Sequence, residues 1–156
     1  MHELPPIVDG RQSPTALRVQ RGVMRLLRER YDVCCFAEVS LSNGRRADVL
    51  GIGPKGEIWI AEIKSSLIDF QVDNKWPLYK DFCDRFFFAK PPELDPDIFP
   101  QSEGLIAADH HDGAVLREAV PVPMPPPRRK AMLLKLARLG ADRIHALMDP
   151  GRADAD

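Results

Sequence analysis

The sequence has little cysteine, almost no net charge and no hydrophobic run long enough to span a membrane. Its 156 residues include three cysteines, Cys34, Cys35 and Cys83, whose spacing is not that of a metal site. A reduced, cytoplasmic protein is therefore the simple expectation. The segment Met1–Pro6 has neither the basic region nor the apolar core of an export signal, so we expect no membrane partner.

The overall charge of the protein does not indicate whether it binds nucleic acid. Lysine and arginine number 22 and aspartate and glutamate 23, for a formal net charge of −1. Any basic surface that binds nucleic acid must therefore be local. The length suits one domain with one core, and no internal repeat is present. We expect a single domain over residues 1–148 and a frayed tail over 149–156.

The run from Arg45 to Lys64 predicts a β-hairpin. Two apolar runs of strand length flank a Gly-Pro-Lys-Gly turn at residues 53–56. Side chains alternate along a strand, so Glu62 and Lys64 share a face with Ile60, and the opposite face is apolar as well. Two apolar faces are typical of a central strand covered on both sides. Charges there are costly unless they pair or bind a metal.

Capping signals and hydrophobic periodicity place the other elements around this hairpin. Ser13 as N-cap and Pro14 at the first helical position predict a helix over 14–31. Further predicted elements are strands over 33–41, 85–89, 105–109 and 114–117, a loose segment over 65–76, a short helix from Pro77, and a basic amphipathic helix over 128–148. This last helix either docks on the core, the favoured interpretation, or serves as a partner-binding arm.

The first helix carries a stripe of arginines opposite its apolar arc. At 100° per residue four of them fall together, namely Arg18, Arg21, Arg25 and Arg28. Taken alone, an ordinary solvated helix face explains the stripe. The alternative is a surface that contacts phosphates.

Three charged residues of the hairpin suggest chemistry. Mg²⁺ prefers hard oxygen ligands and keeps several waters, so carboxylates on adjacent strands, Asp48 and Glu62, suit it. Such an ion polarises a phosphodiester oxygen and lowers the pKa of a water molecule. Lys64, on the same strand face as Glu62, is suited to stabilise charge in the transition state. The simpler alternative is a Glu62–Lys64 ion pair at a strand end, with Asp48 serving the turn.

The order of these elements resembles the PD-(D/E)xK nuclease superfamily, whose common core is αβββαβ. Asp48 matches its first strand acid, with Ala47 where proline often stands, and Glu62-Ile63-Lys64 matches its second acid and lysine. More narrowly, the chain resembles the MmcB-like family of bacterial DNA-repair endonucleases. The motifs that carry this resemblance are Gly44-Arg45-Arg46-Ala47-Asp48, Glu62-Ile63-Lys64-Ser65-Ser66, Asp73-x-Lys75-Trp76-Pro77-x-Tyr79 and Cys83-Asp84-x-Phe86-x-Phe88-Ala89.

The resemblance implies a restriction-endonuclease-like α/β fold, with a mixed central sheet flanked by helices and with extra C-terminal strands and a helix. It implies hydrolysis of phosphodiester bonds in damaged or branched DNA, dependent on Mg²⁺ or Mn²⁺. The implied metal site is Asp48, Glu62 and Ile63, and the implied catalytic residues are Asp48, Glu62 and Lys64. Members often have a further acid on the first helix, where this chain offers only Glu29. We expect Glu38, on the preceding strand, to take that place.

The resemblance also implies DNA contacts from Arg45, Arg46, Ser65, Lys75 and Tyr79. For the last two, packing of Tyr79 and simple solvation of Lys75 explain the residues equally well. Two other functions stay open: a DNA-binding module that keeps the nuclease fold without turnover, and a structural subunit of a repair complex. A homodimer is also left open.

The proposed carboxylate pair sets a geometric condition. Asp48 and Glu62 can hold one ion only if they project from the same face of the sheet. Paired residues must then have numbers that sum to 110, which requires a connection with an odd number of residues or a bulge. An even, unbulged register would pair Asp48 with Ala61 and separate the two carboxylates. The observed strand register tests this condition.

Overall fold

The computed structural model describes residues 12–151. The start of the predicted domain and most of the predicted tail, residues 1–11 and 152–156, lie outside this range. The elements in chain order are α1 (Pro14–Tyr31), β1 (Cys34–Ser40), β2 (Arg46–Ile52), β3 (Ile58–Ile63), α2 (Leu67–Val72), a 3₁₀ helix (Trp76–Phe82), β4 (Arg85–Lys90), a short 3₁₀ turn (Pro96–Ile98), β5 (Gly104–Ala108), β6 (Gly113–Arg117) and α3 (Pro126–Met148). None of the helices in this range combines the length and apolar character that a membrane span needs.

The six strands form one mixed sheet in the order of the sequence. Strands β1, β2 and β3 are an antiparallel meander, β3, β4 and β5 run parallel, and β6 returns antiparallel to β5. This confirms the predicted restriction-endonuclease-like α/β fold, with its extra C-terminal strands and helix. Strand β3 lies inside the sheet and all six of its residues are buried, as its two apolar faces predict.

The two faces of β3 belong to two separate parts of the core. Trp59 and Ala61 face the apolar side of α1, which contributes residues such as Val23. Ile58 and Ile60 face the opposite side, where the 3₁₀ helix and α3 supply their apolar residues. The sheet is therefore covered on both sides, which is why its central strand carries apolar residues in both alternations.

Both hairpins of the meander use the same three-residue turn. Leu41 N–H donates to the Arg45 carbonyl at 2.8 Å, and Gly53 N–H donates to the Glu57 carbonyl at 2.8 Å. Each turn ends on a glycine with positive φ, +82° at Gly44 and +84° at Gly56. Glycine adopts this conformation without the steric cost that a Cβ would add.

Helix α1 begins and ends where its capping residues predict. Ser13 Oγ accepts a hydrogen bond from Ala16 N–H at 3.1 Å, and Pro14 occupies the first helical turn. The helix ends at Asp32, which adopts a left-handed conformation with φ of 54°. The predicted bounds of 14–31 are confirmed.

The prediction of a loose segment over residues 65–76 is wrong. The six-residue helix α2 lies within it, capped by Ser66, whose Oγ accepts from Asp69 N–H at 3.1 Å. None of its residues is buried, and six residues are too few to show the apolar periodicity from which a helix is predicted. The helix predicted from Pro77 is present as the 3₁₀ helix that begins one residue earlier, at Trp76.

Helix α3 docks on the core through its first half. Met132 and Leu136 are buried, whereas Ile144 and Leu147 are exposed. The helix also covers the free edge of β1. Its Lys135 Nζ donates to the Ser40 carbonyl, and its Arg143 guanidinium donates to the carbonyls of residues 37 and 38 at 2.7 and 2.8 Å. Covering unpaired edge carbonyls in this way protects an edge strand from pairing with other chains.

Asp84 joins β3, β4 and the segment that leads to α3. Its buried carboxylate accepts from Ile58 N–H and from Met124 N–H, each at 2.8 Å, and forms an ion pair with Arg129. Burial alone would raise the pKa of Asp84. The Arg129 guanidinium and the two backbone N–H groups outweigh burial, so the pKa lies below its ordinary value.

We expect Asp84→Asn to lower the free energy of unfolding by about 2–4 kcal/mol at pH 7, because a buried anion with three partners is lost. A depressed pKa contributes stability above the pKa of the unfolded chain, so this loss should shrink as the pH falls below about 4. Urea unfolding at several pH values measures both effects. The control is Asp142→Asn on the exposed face of α3, for which we expect a change within about 0.5 kcal/mol. A loss at pH 7 no larger than that of the control would contradict this role.

Candidate active site

Strands β2 and β3 separate at Asp48. They pair from Ile52–Ile58 to Val49–Ala61, a register in which paired residue numbers sum to 110 as the shared-face condition requires. Beyond this point β2 continues to pair with β1 alone. The Ile63 N–H, next in line for a ladder bond, donates instead to Asp48 Oδ2 at 2.8 Å. A side chain thus replaces the backbone, and a cleft opens between the two strand ends.

The structure brings Asp48 and Glu62 together at this opening. Glu62 is only 4% exposed, and its Oε1 atom has no hydrogen-bond partner among residues 12–151. Burial raises the pKa of Glu62 well above its ordinary value, and the adjacent Asp48 carboxyl raises it further. Tyr79 and Lys64 act in the opposite direction but do not compensate. Two close carboxyl groups with too little positive charge between them favour a bound cation.

Lys64 has a partner that the sequence does not suggest. Its Nζ lies 2.6 Å from Asp73 Oδ2, and both side chains are about one-tenth exposed or less, at 8% and 10%. Asp73 Oδ1 accepts from Lys75 N–H at 2.9 Å and lies 3.6 Å from Arg45 Nη2. Burial alone would raise the pKa of Asp73, but these partners hold it below its ordinary value. The ion pair of Lys64 is therefore with Asp73, and not with Glu62 as the simpler alternative held.

Tyr79 belongs both to the core and to the cleft. Its ring stacks on Phe86 with centroids 6.3 Å apart, and the Arg45 guanidinium lies over the ring, 5.4 Å from its centre. Its hydroxyl donates to the Arg46 carbonyl at 2.9 Å. Burial and the neighbouring Glu62 carboxyl raise the pKa of Tyr79, so the phenol is neutral at physiological pH. Packing thus explains the position of the Tyr79 ring, but it does not explain the presence of the Tyr79 hydroxyl group at the cleft.

Helix α1 and the residue before its N-cap supply amides rather than an acid to this region. Gln12 Nε2 donates to Asp48 Oδ1 at 3.3 Å, and Gln20 Nε2 donates to the Asp48 carbonyl at 3.2 Å. Glu38, the expected substitute for the missing acid, is not among the residues that line the cleft. It has a positive φ of 52°, which interrupts the alternation of β1, and its carboxylate pairs with Arg46 at 3.6 Å. Residues 12–151 contain no cluster of three side chains suited to a metal.

The cleft has a volume of about 670 Å³ and is mainly polar. It collects most of the predicted site residues, namely Arg45, Arg46, Asp48, Glu62, Ile63, Lys64, Ser65, Lys75 and Tyr79. The predicted residues outside the lining are Glu38, Arg18, Arg21, Arg25 and Arg28. The cleft thus brings the Asp48–Glu62 pair together with the basic groups of Arg45, Arg46, Lys64 and Lys75.

The arginine stripe runs along the outer face of α1, away from the cleft. Arg18 bonds Thr15 at 3.0 Å, and Arg25 donates to the carbonyl of His111 at 3.2 Å. Arg21 and Arg28 are exposed. A rise of 1.5 Å per residue puts the far end of the stripe, Arg28, roughly 22 Å from the start of the helix. Any substrate that contacts both the stripe and the cleft must therefore be long.

Sequence reasoning missed four polar residues that contact the cleft groups: Gln12, Gln20, Asp69 and Asp73. Asp69 Oδ2 accepts from Ser65 N–H at 3.0 Å and fixes the residue after Lys64. The Ser66-x-x-Asp69 spacing resembles a helix N-cap signal, and α2 could have been predicted from it. Asp73 stood inside a motif of the family resemblance but was assigned no role. Neither glutamine carries a local signal, because both contacts with Asp48 are long-range.

The fold and the cleft together define a restriction-endonuclease-like α/β protein with two carboxyl groups and a lysine where two strands part. Comparison with known families makes this specific: a model described as DNA repair protein MmcB-like matches residues 3–151. The chain therefore belongs to the MmcB-like family of DNA repair proteins, which confirms the narrower resemblance.

Among solved structures, the chain is similar to the SPO1766 protein of unknown function from Silicibacter pomeroyi. The two share 40% sequence identity and superpose with a TM-score of 0.85. The similarity covers 93% of this chain and 99% of the other. No curated protein matches the sequence.

The raised pKa of Glu62 makes stability depend on pH. The unfolded chain loses its Glu62 proton near pH 4.5, before the folded protein does, so the folded state is progressively destabilised as the pH rises above that value. We expect Glu62→Gln to remove this part of the pH dependence and to be at least as stable as wild type at pH 8. Thermal unfolding between pH 4 and pH 8, in the presence of a chelator, measures the difference.

The matched control is Glu118→Gln, which neutralises a carboxylate near the other edge of the sheet. This variant should keep the wild-type pH dependence. Parallel curves for wild type and Glu62→Gln would mean that the buried carboxyl group carries no electrostatic penalty.

Proposed function

We propose that the protein is a metal-dependent DNA endonuclease of the PD-(D/E)xK superfamily that acts in DNA repair. The observation that carries this proposal is the pairing of half-buried Asp48 with buried Glu62 near Lys64, in a cleft of a protein that belongs to a DNA repair family. Buried carboxyl groups without a matching cation destabilise a fold. Such an arrangement is more readily understood as part of a functional site than as a contribution to stability.

The chemistry of the donor atoms fits Mg²⁺ or Mn²⁺. Glu62 Oε1 is buried and unpartnered within the described residues, and Asp48 supplies a second carboxylate. Ile63, whose side chain has no ligand atom, can contribute only a backbone group. Two carboxylates are sufficient for Mg²⁺, which keeps several waters. When bound, such an ion would polarise a phosphodiester oxygen and lower the pKa of a water molecule.

Stabilisation of the transition state and contacts with the DNA backbone are assigned to side chains of the protein. Lys64 and Arg45 carry positive charge in the same cleft as the carboxyl pair, where an anionic phosphodiester would bind. Charges fixed in advance stabilise a transition state without reorganisation during the reaction. Ser65 and Lys75 border the same cleft and are placed to contact the sugar-phosphate backbone.

A second candidate is a nuclease fold that binds DNA, or serves a repair complex, without turnover. Two observations favour it: the Lys64 ammonium is already engaged by Asp73, and the expected third carboxylate, Glu38, lies outside the cleft lining. Hydrolysis requires Lys64 to act while it is held by Asp73. DNA cleavage therefore separates the two candidates.

The proposal predicts cleavage of one or more members of a panel of duplex, single-stranded and branched DNAs in the presence of Mg²⁺ or Mn²⁺. Asp48→Asn should abolish cleavage, because half of the carboxyl pair is neutralised. Lys64→Met should reduce the rate by about 10²–10³-fold, the usual cost of removing a preorganised charge, while DNA binding persists. Gel-based cleavage and fluorescence anisotropy measure the two properties.

Asp142→Asn, a neutralised carboxylate on the surface of α3, is the control and should cleave at the wild-type rate. Lys64→Met also removes the ion-pair partner of the nearly buried Asp73 carboxylate, and we expect this to lower the stability of the fold. Thermal unfolding of each variant therefore accompanies the assay. Cleavage by folded Asp48→Asn at the wild-type rate would exclude this active site, and metal-independent binding without cleavage would favour the second candidate.

The arginine stripe makes a separate prediction about affinity. If α1 contacts phosphates, the double variant Arg21→Gln/Arg28→Gln should weaken binding to all sequences alike. The slope of log Kd against log salt should fall in magnitude by roughly one to two units. The control double variant is Lys130→Gln/Arg138→Gln, which removes the same charge from α3 on the opposite face of the sheet. Equal slopes for the two double variants would identify the stripe as an ordinary solvated face.

A further inference from the structure

We infer that Asp73 is a positioning residue that holds Lys64 and Arg45 in the cleft that also contains the Asp48–Glu62 pair. The inference deepens the proposed function and rests on it for its catalytic meaning. Its structural content, the placement of two cations by one carboxylate, is testable without any activity.

The carboxylate of Asp73 uses both of its oxygens. Oδ2 lies 2.6 Å from Lys64 Nζ, and Oδ1 faces Arg45 Nη2 at 3.6 Å while accepting from Lys75 N–H at 2.9 Å. The Asp73 side chain is only 10% exposed. A short, nearly buried contact of this kind has a defined geometry, unlike an ion pair between two mobile surface side chains.

Lys64 needs such a partner because of where it stands on β3. Glu62 precedes it by two residues on the same strand face, so the nearest buried carboxyl group would otherwise attract the flexible lysine stem. An ammonium group drawn onto Glu62 would occupy the place of a cation. By engaging the Lys64 ammonium in an ion pair of its own, Asp73 competes with Glu62 for that ammonium.

Arg45 is held in the same way. Its guanidinium lies between the Asp73 carboxylate and the face of the Tyr79 ring, and its Nε is buried without a hydrogen-bond partner among residues 12–151. Cation–π contact and the carboxylate together fix the plane of the guanidinium. The guanidinium group of Arg45 is thus held in place at the border of the cleft.

Asp73 is itself fixed by the core through α2. It follows the last residue of that helix, and its N–H donates to the Phe70 carbonyl at 3.2 Å. The Phe70 ring packs against Phe88 and Phe99, with centroids 5.5 and 5.2 Å away. A helix that buries none of its residues completely is thereby connected to the centre of the molecule.

The first test measures the placement of Lys64 without reference to catalysis. The rate at which an amine-reactive ester labels Lys64 is followed by mass spectrometry in the full chain. Asp73→Asn, which retains an acceptor for Lys75 N–H, should increase the labelling rate by about tenfold, as expected when a charge-assisted hydrogen bond is lost. Asp73→Glu should restore most of the protection.

Asp69→Asn neutralises another cleft carboxylate, which bonds Ser65 and not Lys64, and should leave Lys64 labelling unchanged. Asp73→Ser is a second variant if Asp73→Asn proves unfolded in a thermal scan. Unchanged labelling of Lys64 in a folded Asp73 variant would overturn the inference, whether or not the protein cuts DNA.

The second test uses cleavage of the DNA substrate. Because Asp73 acts through Lys64 on the transition state, Asp73→Asn should lower kcat by about 10- to 100-fold with little change in KM. The double variant Asp73→Asn/Lys64→Met should be no slower than Lys64→Met alone. Additive losses would show that Asp73 acts independently of Lys64 and would overturn the inference. Absence of cleavage in the wild type would count against the proposed function, while the labelling result would still decide the placement.

Discussion

The hydrogen bond between the Ile63 N–H and the Asp48 carboxylate is the constraint on which the cleft depends. A buried backbone N–H group must be paired, and in a continuous sheet the neighbouring strand would supply a carbonyl. Here a side chain supplies the acceptor, so β2 can leave β3 without an unpaired donor. The same bond places Asp48 beside Glu62, and the opening of the sheet and the assembly of the carboxyl pair therefore have one cause.

The cleft contains both signs of charge. Asp48 and Glu62 form the carboxyl pair, and Asp73 holds Lys64 and Arg45 through its own carboxylate. By contrast, the buried Asp84 carboxylate is fully paired, with two backbone donors and Arg129. Within residues 12–151, one oxygen of Glu62 has no hydrogen-bond partner, so this chain treats a structural carboxylate and a cleft carboxylate differently. Membership of a DNA repair family agrees with a site of this kind.

Local sequence signals were sufficient for much of this structure. Ser13 and Pro14 fix the start of α1, and the two apolar faces of β3 identify it as a central strand. Apart from α2, whose cap signal is local, the parts that escaped prediction depend on contacts between distant residues or on unusual backbone. Asp73 meets Lys64 only when α2 is packed against the core, and the position of Glu38 follows from a positive φ that no neighbouring residue signals. The two glutamines that hold Asp48 come from α1 and from the residue before its N-cap, far away in the chain.

The two short turns of the meander have a consequence for how this protein can change during evolution. Side chains along a strand alternate with a period of two, so inserting or deleting one residue in the turn after β2 would move Asp48 and Glu62 to opposite faces of the sheet. Two residues added together would preserve the shared face. The length of this turn can therefore change only by an even number of residues for as long as the protein needs the carboxyl pair. The length of a turn with exposed residues, Pro54 and Lys55, is thus constrained by the two strands that it connects.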